Sequence, residues 1–343
     1  MTPASQPEVK PLPAADAKAE LAALLQGAGV LALDDVGWIR ATGEDRVRWL
    51  NGMVTNSVQE LKPGAGNYNF LLSVQGRIQG DATVFAEPDG LLLETSAGRV
   101  ADVMKMLDHY IIMDDVELAD MTGERCGLLV AGPQAAGMLA TVGLQVAGID
   151  PLGMRTVAWN GSDVTIVRAY SLLVARFEVW ADATTVAAVK DAICGAGAVW
   201  CGAESRDWLR ILEGTPKYGV DIRDRELPQE TAQTRALHFA KGCYLGQEIV
   251  ERIRSRGNVH RTFCGFRLEG DIPAAGTVLE VEGKPVGEVT SAAAIPLPGE
   301  PEKIVLLALG YVRREALDRN VPLLYEGGVA VPVSLPYTVS TAT

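Results

Sequence analysis

The stretch KGCYLGQE, residues 241–248, places a cysteine among residues that could make its thiol reactive. Cys243 follows Lys241 by two positions and precedes a charged segment that could form a helix. A nearby lysine and a helix N-terminus both stabilise a thiolate, and a downward shift of about one to two pKa units ionises most of a thiol at neutral pH. Gly242 and Gly246 allow the backbone to turn tightly around the sulfur. A small buried side chain in a glycine-rich turn is the structural alternative.

The charged segment GQEIVERIRSRG that follows can be interpreted as a strand or as a helix. A strand would align three arginines on one face, which would suit an anionic partner. A helix buries Ile249 and Ile253, pairs Glu248 with Arg252 four residues later, and ends at Gly257. The helix is favoured because it accounts for more of the residues, and it would place Cys243 about one turn before a helix N-terminus.

Other familiar chemistry has no support in the sequence. The chain has three histidines, no HExxH or CxxC motif, no P-loop and no Rossmann fingerprint. These absences argue against a zinc hydrolase, a thioredoxin-type redox pair and a nucleotide-binding fold. Cys194 and Cys201 lie in a glycine-rich turn with few other possible ligands nearby, so buried thiols are expected there and no metal site.

Composition is typical of a globular protein, with 48% hydrophobic and 22% charged residues. The net charge of −12 disfavours general binding to nucleic acid. The five cysteines are odd in number and widely spaced, which favours free thiols in a reducing compartment. No apolar run reaches transmembrane length and the N-terminus lacks signal-peptide features, so we expect a cytoplasmic protein without membrane contact.

The 343 residues are too many for one core and predict an α+β protein of two or three domains. Residues 1–19 are expected to form a disordered tail. Residues 20–261 alternate helical and strand patterns, including a β-meander with glycine turns in the segment NYNFLLSVQGRIQGDATVFAEPDGLLLET. From residue 262 to 340 the chain shows short strands with Gly/Pro turns, as in a small β-barrel.

The motif KGCYLGQE resembles the signature of the folate-binding YgfZ family, relatives of the aminomethyltransferase T-protein of the glycine cleavage system. Further segments resemble the same superfamily in the same order over about residues 30–336, among them GRIQGDATVF, RAYSLLVARFEVW, SRDWLRILEGTPKYGVDI, GKPVGEVTS and LALGYVRRE. The resemblance implies a T-protein-like three-domain ring. Two interleaved N-terminal domains, ferredoxin-like and β-meander in character, and a C-terminal barrel would surround a central folate channel.

By position, the resemblance implies five residues that approach tetrahydrofolate: Asp81, Tyr170, Glu178, Arg210 and Tyr218. A carboxylate can accept two hydrogen bonds from the amidine-like edge of a pterin, and an arginine suits the anionic glutamate tail. The T-protein has two adjacent acidic residues where this chain has Gly80 before Asp81, and its Gly-Glu turn is replaced in AYSLLVARFEV. These departures argue against aminomethyl transfer.

The resemblance implies an accessory factor for assembly or repair of iron–sulfur clusters, with links to oxidative stress and tRNA modification. Cys243 would be the working thiol, Lys241 would tune it, and Tyr244, Gln247 and Glu248 would shape the loop. Client or assembly proteins would bind transiently, because a single cysteine cannot hold a cluster alone. A folate-dependent one-carbon transferase and a folate-binding module without chemistry are the alternatives.

Overall fold

The computed structural model describes residues 17–257, 259–299, 304–319 and 321–338. Most of the predicted tail, residues 1–16, lies outside the described residues. Residues 17–19, the last part of that predicted tail, instead belong to the first helix, which begins at Ala17. Leu21 and Leu24 of this helix are fully buried, which holds it against the rest of the molecule.

The first half of the chain alternates short helices and strands. In chain order the elements are α1 (Ala17–Gln26), β1 (Gly29–Ala32), β2 (Val36–Thr42), α2 (Arg46–Asn51), β3 (Gly66–Leu72), β4 (Ile78–Ala86), β5 (Leu91–Ser96), α3 (Val100–Asp108) and β6 (Glu117–Asp120). Strands β2 to β6 form one five-stranded sheet in the order β3-β4-β5-β2-β6. The predicted meander is the run β3-β4-β5 of this sheet.

The second sheet is built mainly from the middle of the chain. Its elements are β7 (Cys126–Ala131), α4 (Ala135–Thr141), β8 (Met154–Trp159), β9 (Ser162–Arg168), β10 (Arg176–Ala181), α5 (Ala183–Gly195) and β11 (Val199–Trp200), followed by α6 (Ala203–Glu213) and α7 (Gln247–Arg256). The strand order is β11-β1-β7-β10-β9-β8. Because β1 belongs to this sheet and β2 to the other, the two N-terminal domains are interleaved in sequence.

The C-terminal region is a closed six-stranded barrel. Its elements are β12 (Arg261–Gly270), β13 (Val278–Val281), β14 (Lys284–Pro296), β15 (Ile304–Arg313), α8 (Arg314–Asp318), β16 (Leu323–Tyr325) and β17 (Gly328–Val333). The order around the barrel is β12-β15-β14-β13-β16-β17. Closure removes free strand edges, which is the usual advantage of a small barrel.

Local sequence explains where helix α5 begins and where helices α6 and α7 end. The Asp182 side chain caps α5 by accepting hydrogen bonds from the backbone N–H groups of Thr184 and Thr185. Helix α6 ends at Gly214, whose φ of 71° is the left-handed conformation that glycine adopts without strain. Helix α7 ends at Gly257, as the sequence predicts.

The two sheets and the barrel share one cluster of buried side chains. Trp180 of the second sheet packs edge-on against Trp38 and Phe85 of the first, with ring centroids 5.7 and 5.3 Å apart. The same cluster of buried side chains continues into the barrel through Leu309 and Tyr311. Because aromatic pairs of this geometry add to the burial of apolar area, the sheets and barrel are held as one unit around the cavity described next.

Candidate functional site

A cavity of about 480 Å³ opens between the two sheets, α6 and the loop after it. Strands β4 and β5 form one wall, β10 contributes to another, and α6 with residues 215–218 forms a third. Of the five residues predicted to approach folate, Asp81, Arg210 and Tyr218 line this cavity. The other two do not: Glu178 lies behind the wall and Tyr170 lines a second cavity.

Glu94 and Glu178 form a carboxyl pair at the cavity wall. Glu94 lies on β5 and faces the cavity, whereas Glu178 on β10 is buried behind it and accepts a hydrogen bond from Trp180 Nε1 at 3.0 Å. Burial raises the pKa of Glu94 well above its usual value, and the neighbouring Glu178 raises it further. Burial also raises the pKa of Glu178. Poor solvation therefore favours the protonated form at both carboxyl groups.

Asp81 is held by a tyrosine. Tyr68 Oη donates a hydrogen bond to Asp81 Oδ2 at 2.7 Å, and the two residues come from neighbouring strands. Burial raises the pKa of both groups, and the Asp81 charge further raises that of Tyr68. Asp81 thus presents a fixed, poorly solvated carboxyl group to the cavity.

A stack of three side chains separates this cavity from a second one of about 290 Å³. The Arg235 guanidinium lies between the rings of Tyr68 and Tyr170, 4.0 and 3.8 Å from their centroids. Tyr68 faces the first cavity, while Tyr170 and Arg235 line the second with Cys264. Burial lowers the pKa of Arg235, and the tyrosine faces favour its charged form.

Each of the three side-chain nitrogens of Arg210 donates a hydrogen bond within the protein. Its Nε donates to Asp207 at 2.7 Å, one terminal nitrogen donates to Asp221 at 2.6 Å, and the other donates to Ser291 at 3.1 Å. Asp221 is completely buried and also accepts from Thr290 and Ser291 of β14. Arg210 therefore joins α6 to the barrel, and these contacts occupy most of its five N–H donors.

Two other cations lie on the wall formed by α6 and the following loop. Arg206 contacts Asp35 at 2.7 Å, and the exposed Lys217 approaches the same carboxylate at 3.6 Å. Burial alone would raise the pKa of Asp35, but Arg206 and Lys217 outweigh it and the pKa is lowered. Tyr218 lies beside them and donates a hydrogen bond to Asp224. Lys217 marks the side on which the cavity opens to solvent.

The predicted motif forms a loop outside the cavity. Cys243 is exposed and free, four residues before α7, and no described residue makes a hydrogen bond to its sulfur. Lys241, which was predicted to tune the thiol, uses its ammonium group in contacts with the main chain. Its Nζ donates to three backbone carbonyls, those of Asn51 and Val54 at 2.7 Å and Asn56 at 2.6 Å.

Lys241 therefore anchors the loop to the main chain of residues 51–56. Burial lowers the pKa of Lys241 to about 7, while three carbonyl acceptors favour the ammonium, which alone has three protons to donate. Leu245 N–H donates to Gly52 O at 2.9 Å, so both ends of the Cys243 loop are fixed to α2 and the residues after it. The thiol is thus presented to solvent on a rigid support.

The remaining motif residues mainly build this support. Tyr244 is buried in an apolar cluster with Phe70 and Val250, which is a packing position within the loop that it was predicted to shape. Gln247 Oε1 accepts from Tyr244 N at 3.3 Å. The predicted Glu248–Arg252 ion pair is absent among the described residues.

The two glycines of the motif differ. Gly246 has φ of 78°, and a Cβ there would lie 2.5 Å from Ser73 O, so only glycine allows α7 to start against the β3–β4 turn. A Cβ added at Gly242 would meet no atom within 4 Å, and the φ of Gly242 is not left-handed. The tight turn predicted for both glycines therefore applies to Gly246.

Sequence reasoning missed several residues of the two cavities: Tyr68, Glu94, Arg176, Arg206, Lys217 and Arg235. Glu94 had a signal, because it is a single acid following three leucines in LLLET. Arg235 had none, since nothing in TAQTRALHF predicts that tyrosines far away in the chain will enclose it. Among the described residues, no group of three His, Cys, Asp or Glu side chains is arranged to hold a metal ion.

The fold around this cavity also occurs in a protein of known structure. The fold is shared with the glycine cleavage system aminomethyltransferase T from Bartonella henselae, with a TM-score of 0.81, 22% identity, and coverage of 94% of this chain and 89% of that one. The GCVT N-terminal domain family matches residues 8–241, and the CAF17 C-terminal beta-barrel domain matches residues 261–341. The chain belongs to the GCVT N-terminal domain family and carries a CAF17-type barrel.

Relatives with named activities share about a quarter of their residues with this chain. The aminomethyltransferase of Geobacillus kaustophilus is 28% identical over 332 residues, covering 90% of this chain and 86% of that protein. A putative chloroplastic transferase of Arabidopsis thaliana is 25% identical over 292 residues, covering 84% of this chain and 66% of its own length. Within the described residues, no helix is both long and apolar enough to cross a membrane.

Proposed function

We propose that the cavity binds a tetrahydrofolate derivative. The observation that carries this proposal is the arrangement of charge: a carboxyl pair, Glu94 and Glu178, on one wall and the cations Arg206 and Lys217 on another. A pterin head presents adjacent N–H donors that suit a carboxylate, and a glutamate tail is anionic and suits the cations near solvent. The volume of about 480 Å³ lies in the range of small-molecule sites.

In this proposal the predicted residues divide into contacts and supports. Asp81 and Tyr218 face the ligand, Glu178 acts through Glu94, and Arg210 positions α6 against the barrel through Asp221. Tyr170 supports Arg235 from the second cavity. Bound tetrahydrofolate would supply a carrier for one-carbon units.

We further propose that the protein is an accessory factor for iron–sulfur enzymes and that Cys243 acts on a partner. The support is its position, since the thiol is exposed on a fastened loop and is not among the residues lining the folate cavity. Thiolates are suitable ligands for iron and sulfur. A single exposed thiol would hold iron or sulfur only together with groups from another protein. The motif KGCYLGQE, with its resemblance to the YgfZ family, is consistent with this role.

A one-carbon transferase is the second candidate, and Asp81 favours it. This carboxyl lines the cavity, is fixed by Tyr68 at 2.7 Å, and has its pKa raised by burial, as a proton-transferring group requires. The names of the relatives, aminomethyltransferases among them, point the same way. In this role Cys243 would be dispensable.

Folate binding is tested by isothermal titration calorimetry of the full chain with tetrahydrofolate. We expect saturable binding that Glu94→Ala weakens at least about tenfold, since a hydrogen bond to a charged group contributes about 1.5–3 kcal/mol. Glu269→Ala, an exposed position on the barrel, is the matched control. Absence of binding to the wild-type protein would reject the folate proposal.

The two roles are separated genetically. The gene is deleted in its host and restored as wild type, Cys243→Ala, Cys194→Ala or Asp81→Asn. The activity of an iron–sulfur enzyme is then assayed under oxidative stress. The accessory role predicts rescue by wild type and Cys194→Ala but not by Cys243→Ala. Full rescue by Cys243→Ala combined with loss of rescue by Asp81→Asn would favour the transferase.

A further inference from the structure

Arg176 lines the first cavity, and none of the described residues accepts a hydrogen bond from its buried Nε. No described carboxylate lies within 4.0 Å of its guanidinium. The neighbouring arginines differ, since Arg206 pairs with Asp35 and Arg210 with Asp207 and Asp221. Buried donors in folded proteins almost always have a partner, and exceptions call for an explanation.

Arg176 is also placed beside the carboxyl pair. It precedes Glu178 by two positions on β10, so both side chains leave the same face of the strand. Its positive charge acts on Glu94 and Glu178 and favours their ionised forms. The wall therefore offers a hydrogen-bond donor, Arg176, next to the carboxyl acceptors of Glu94 and Glu178.

A wall that offers a donor beside an acceptor fits a ring with a carbonyl next to an N–H. We propose that Arg176 donates to the carbonyl oxygen of such a lactam, while the Glu94–Glu178 pair accepts from the adjacent N–H. A ligand carboxylate would suit Arg176 alone, because it brings no N–H for the neighbouring carboxyl groups to accept. The inference rests on the proposed function, because the first ligand considered to carry such a lactam is folate, through its pterin ring. Guanine carries the same edge and is the second source.

The test compares two ligands that differ at that edge alone. Folic acid carries a 4-oxo group and aminopterin a 4-amino group, while their glutamate tails are identical. Calorimetry on the full-length protein at pH 7.5 is expected to give wild type an affinity for folic acid at least about tenfold above that for aminopterin, the ratio for one charge-assisted hydrogen bond. In Arg176→Gln the ratio should fall below about threefold. Arg155→Gln, an exposed position on β8 of the same sheet, should keep the wild-type ratio.

Equal weakening of both ligands by Arg176→Gln would overturn the proposal, because Arg176 would then act on the tail or on the shape of the cavity. A wild-type protein that binds both ligands without preference would also overturn it while leaving folate binding intact. If wild type binds neither folate, guanosine is the second probe. Guanosine binding that Arg176→Gln abolishes would keep the lactam site and reject folate; no guanosine binding would reject both. Thermal unfolding of each variant confirms that it is folded.

Discussion

The five cysteines differ in what surrounds each sulfur. Cys243 is exposed, whereas burial raises the pKa of Cys201 and of Cys264 to about 12. Since the thiolate is the nucleophile, a thiol with a pKa of about 12 has a reactive fraction on the order of 10⁻⁴ at pH 8. Reactivity in the folded protein should therefore follow exposure.

We predict that iodoacetamide at pH 8 alkylates Cys243 first and Cys201 and Cys264 last. Quenched time points analysed by peptide mass spectrometry give the rate for each cysteine, and the same reaction in urea supplies the unfolded control. Labelling of Cys264 as fast as Cys243 in the folded protein would contradict the structure.

The carboxyl pair has a consequence for stability. Burial, followed by repulsion from Glu178, raises the pKa of Glu94, so the folded state binds a proton that the unfolded chain releases above about pH 4.3. Folding stability from this group is therefore lost as the pH rises from that value through the raised pKa.

Glu94→Gln should remove this dependence, because an amide needs no proton. The free energy of unfolding of the variant relative to wild type is expected to increase as the pH is raised from 5 to 8. Urea denaturation at each pH measures the difference. A difference that stays constant over this range would mean that Glu94 ionises normally in the folded protein.

At the scale of elements, the start of α7 is determined by backbone approach to the β3–β4 turn. Gly246→Ala would put a Cβ 2.5 Å from Ser73 O at a φ of 78°. The left-handed conformation alone costs about 1–2 kcal/mol for a residue with a Cβ, and the contact adds to it. Gly242 offers a control in the same motif, because space is open there.

We therefore predict that Gly246→Ala lowers the free energy of unfolding by at least about 1–2 kcal/mol, while Gly242→Ala changes it by less than about 0.5 kcal/mol. Urea denaturation measures both. Equal effects would show that the motif glycines serve the thiol and not the junction between α7 and the sheet.

At the scale of the whole molecule, an ion-pair cluster joins the barrel to the N-terminal domains. The carboxylate of Glu226 is fully buried and lies 3.1 Å from Arg223, 3.2 Å from Arg225 and 3.5 Å from Arg261, the first barrel residue. Glu288 of β14 completes the contact with Arg223 at 2.7 Å. Without Glu226 the three arginines keep Glu288 as a partner, but the donors that Glu226 accepts from lose their buried acceptor.

Glu226→Ala is accordingly expected to destabilise the protein by about 1–3 kcal/mol and to expose the segment before the barrel to proteases. Glu269→Ala removes an exposed pair with Arg267 and should cost less than about 1 kcal/mol. Thermal unfolding and limited proteolysis are the measurements. If Glu226→Ala lowered stability no more than Glu269→Ala does, the apolar contacts of the shared core alone would hold the barrel against the two sheets.

Sequence alone determined the features that depend on near neighbours in the chain. The helix over residues 247–256, its end at Gly257, the meander and the β-barrel all follow from periodicity and turn residues. The left-handed Gly246 could likewise be anticipated from the motif. Such features are readable because hydrogen bonds and steric limits within a few residues decide them.

Only the tertiary structure decided which groups meet. Lys241 was expected beside Cys243, but carbonyl groups 185 to 190 residues earlier capture its ammonium. Glu178 was expected at the ligand, but Glu94 from the other sheet stands in front of it, and Arg210 is held by Asp221. Buried charges take the partners that packing brings within reach, because an unpaired buried charge is so unfavourable. Those partners are set by the contact between sheets and barrel, which no short stretch of sequence contains.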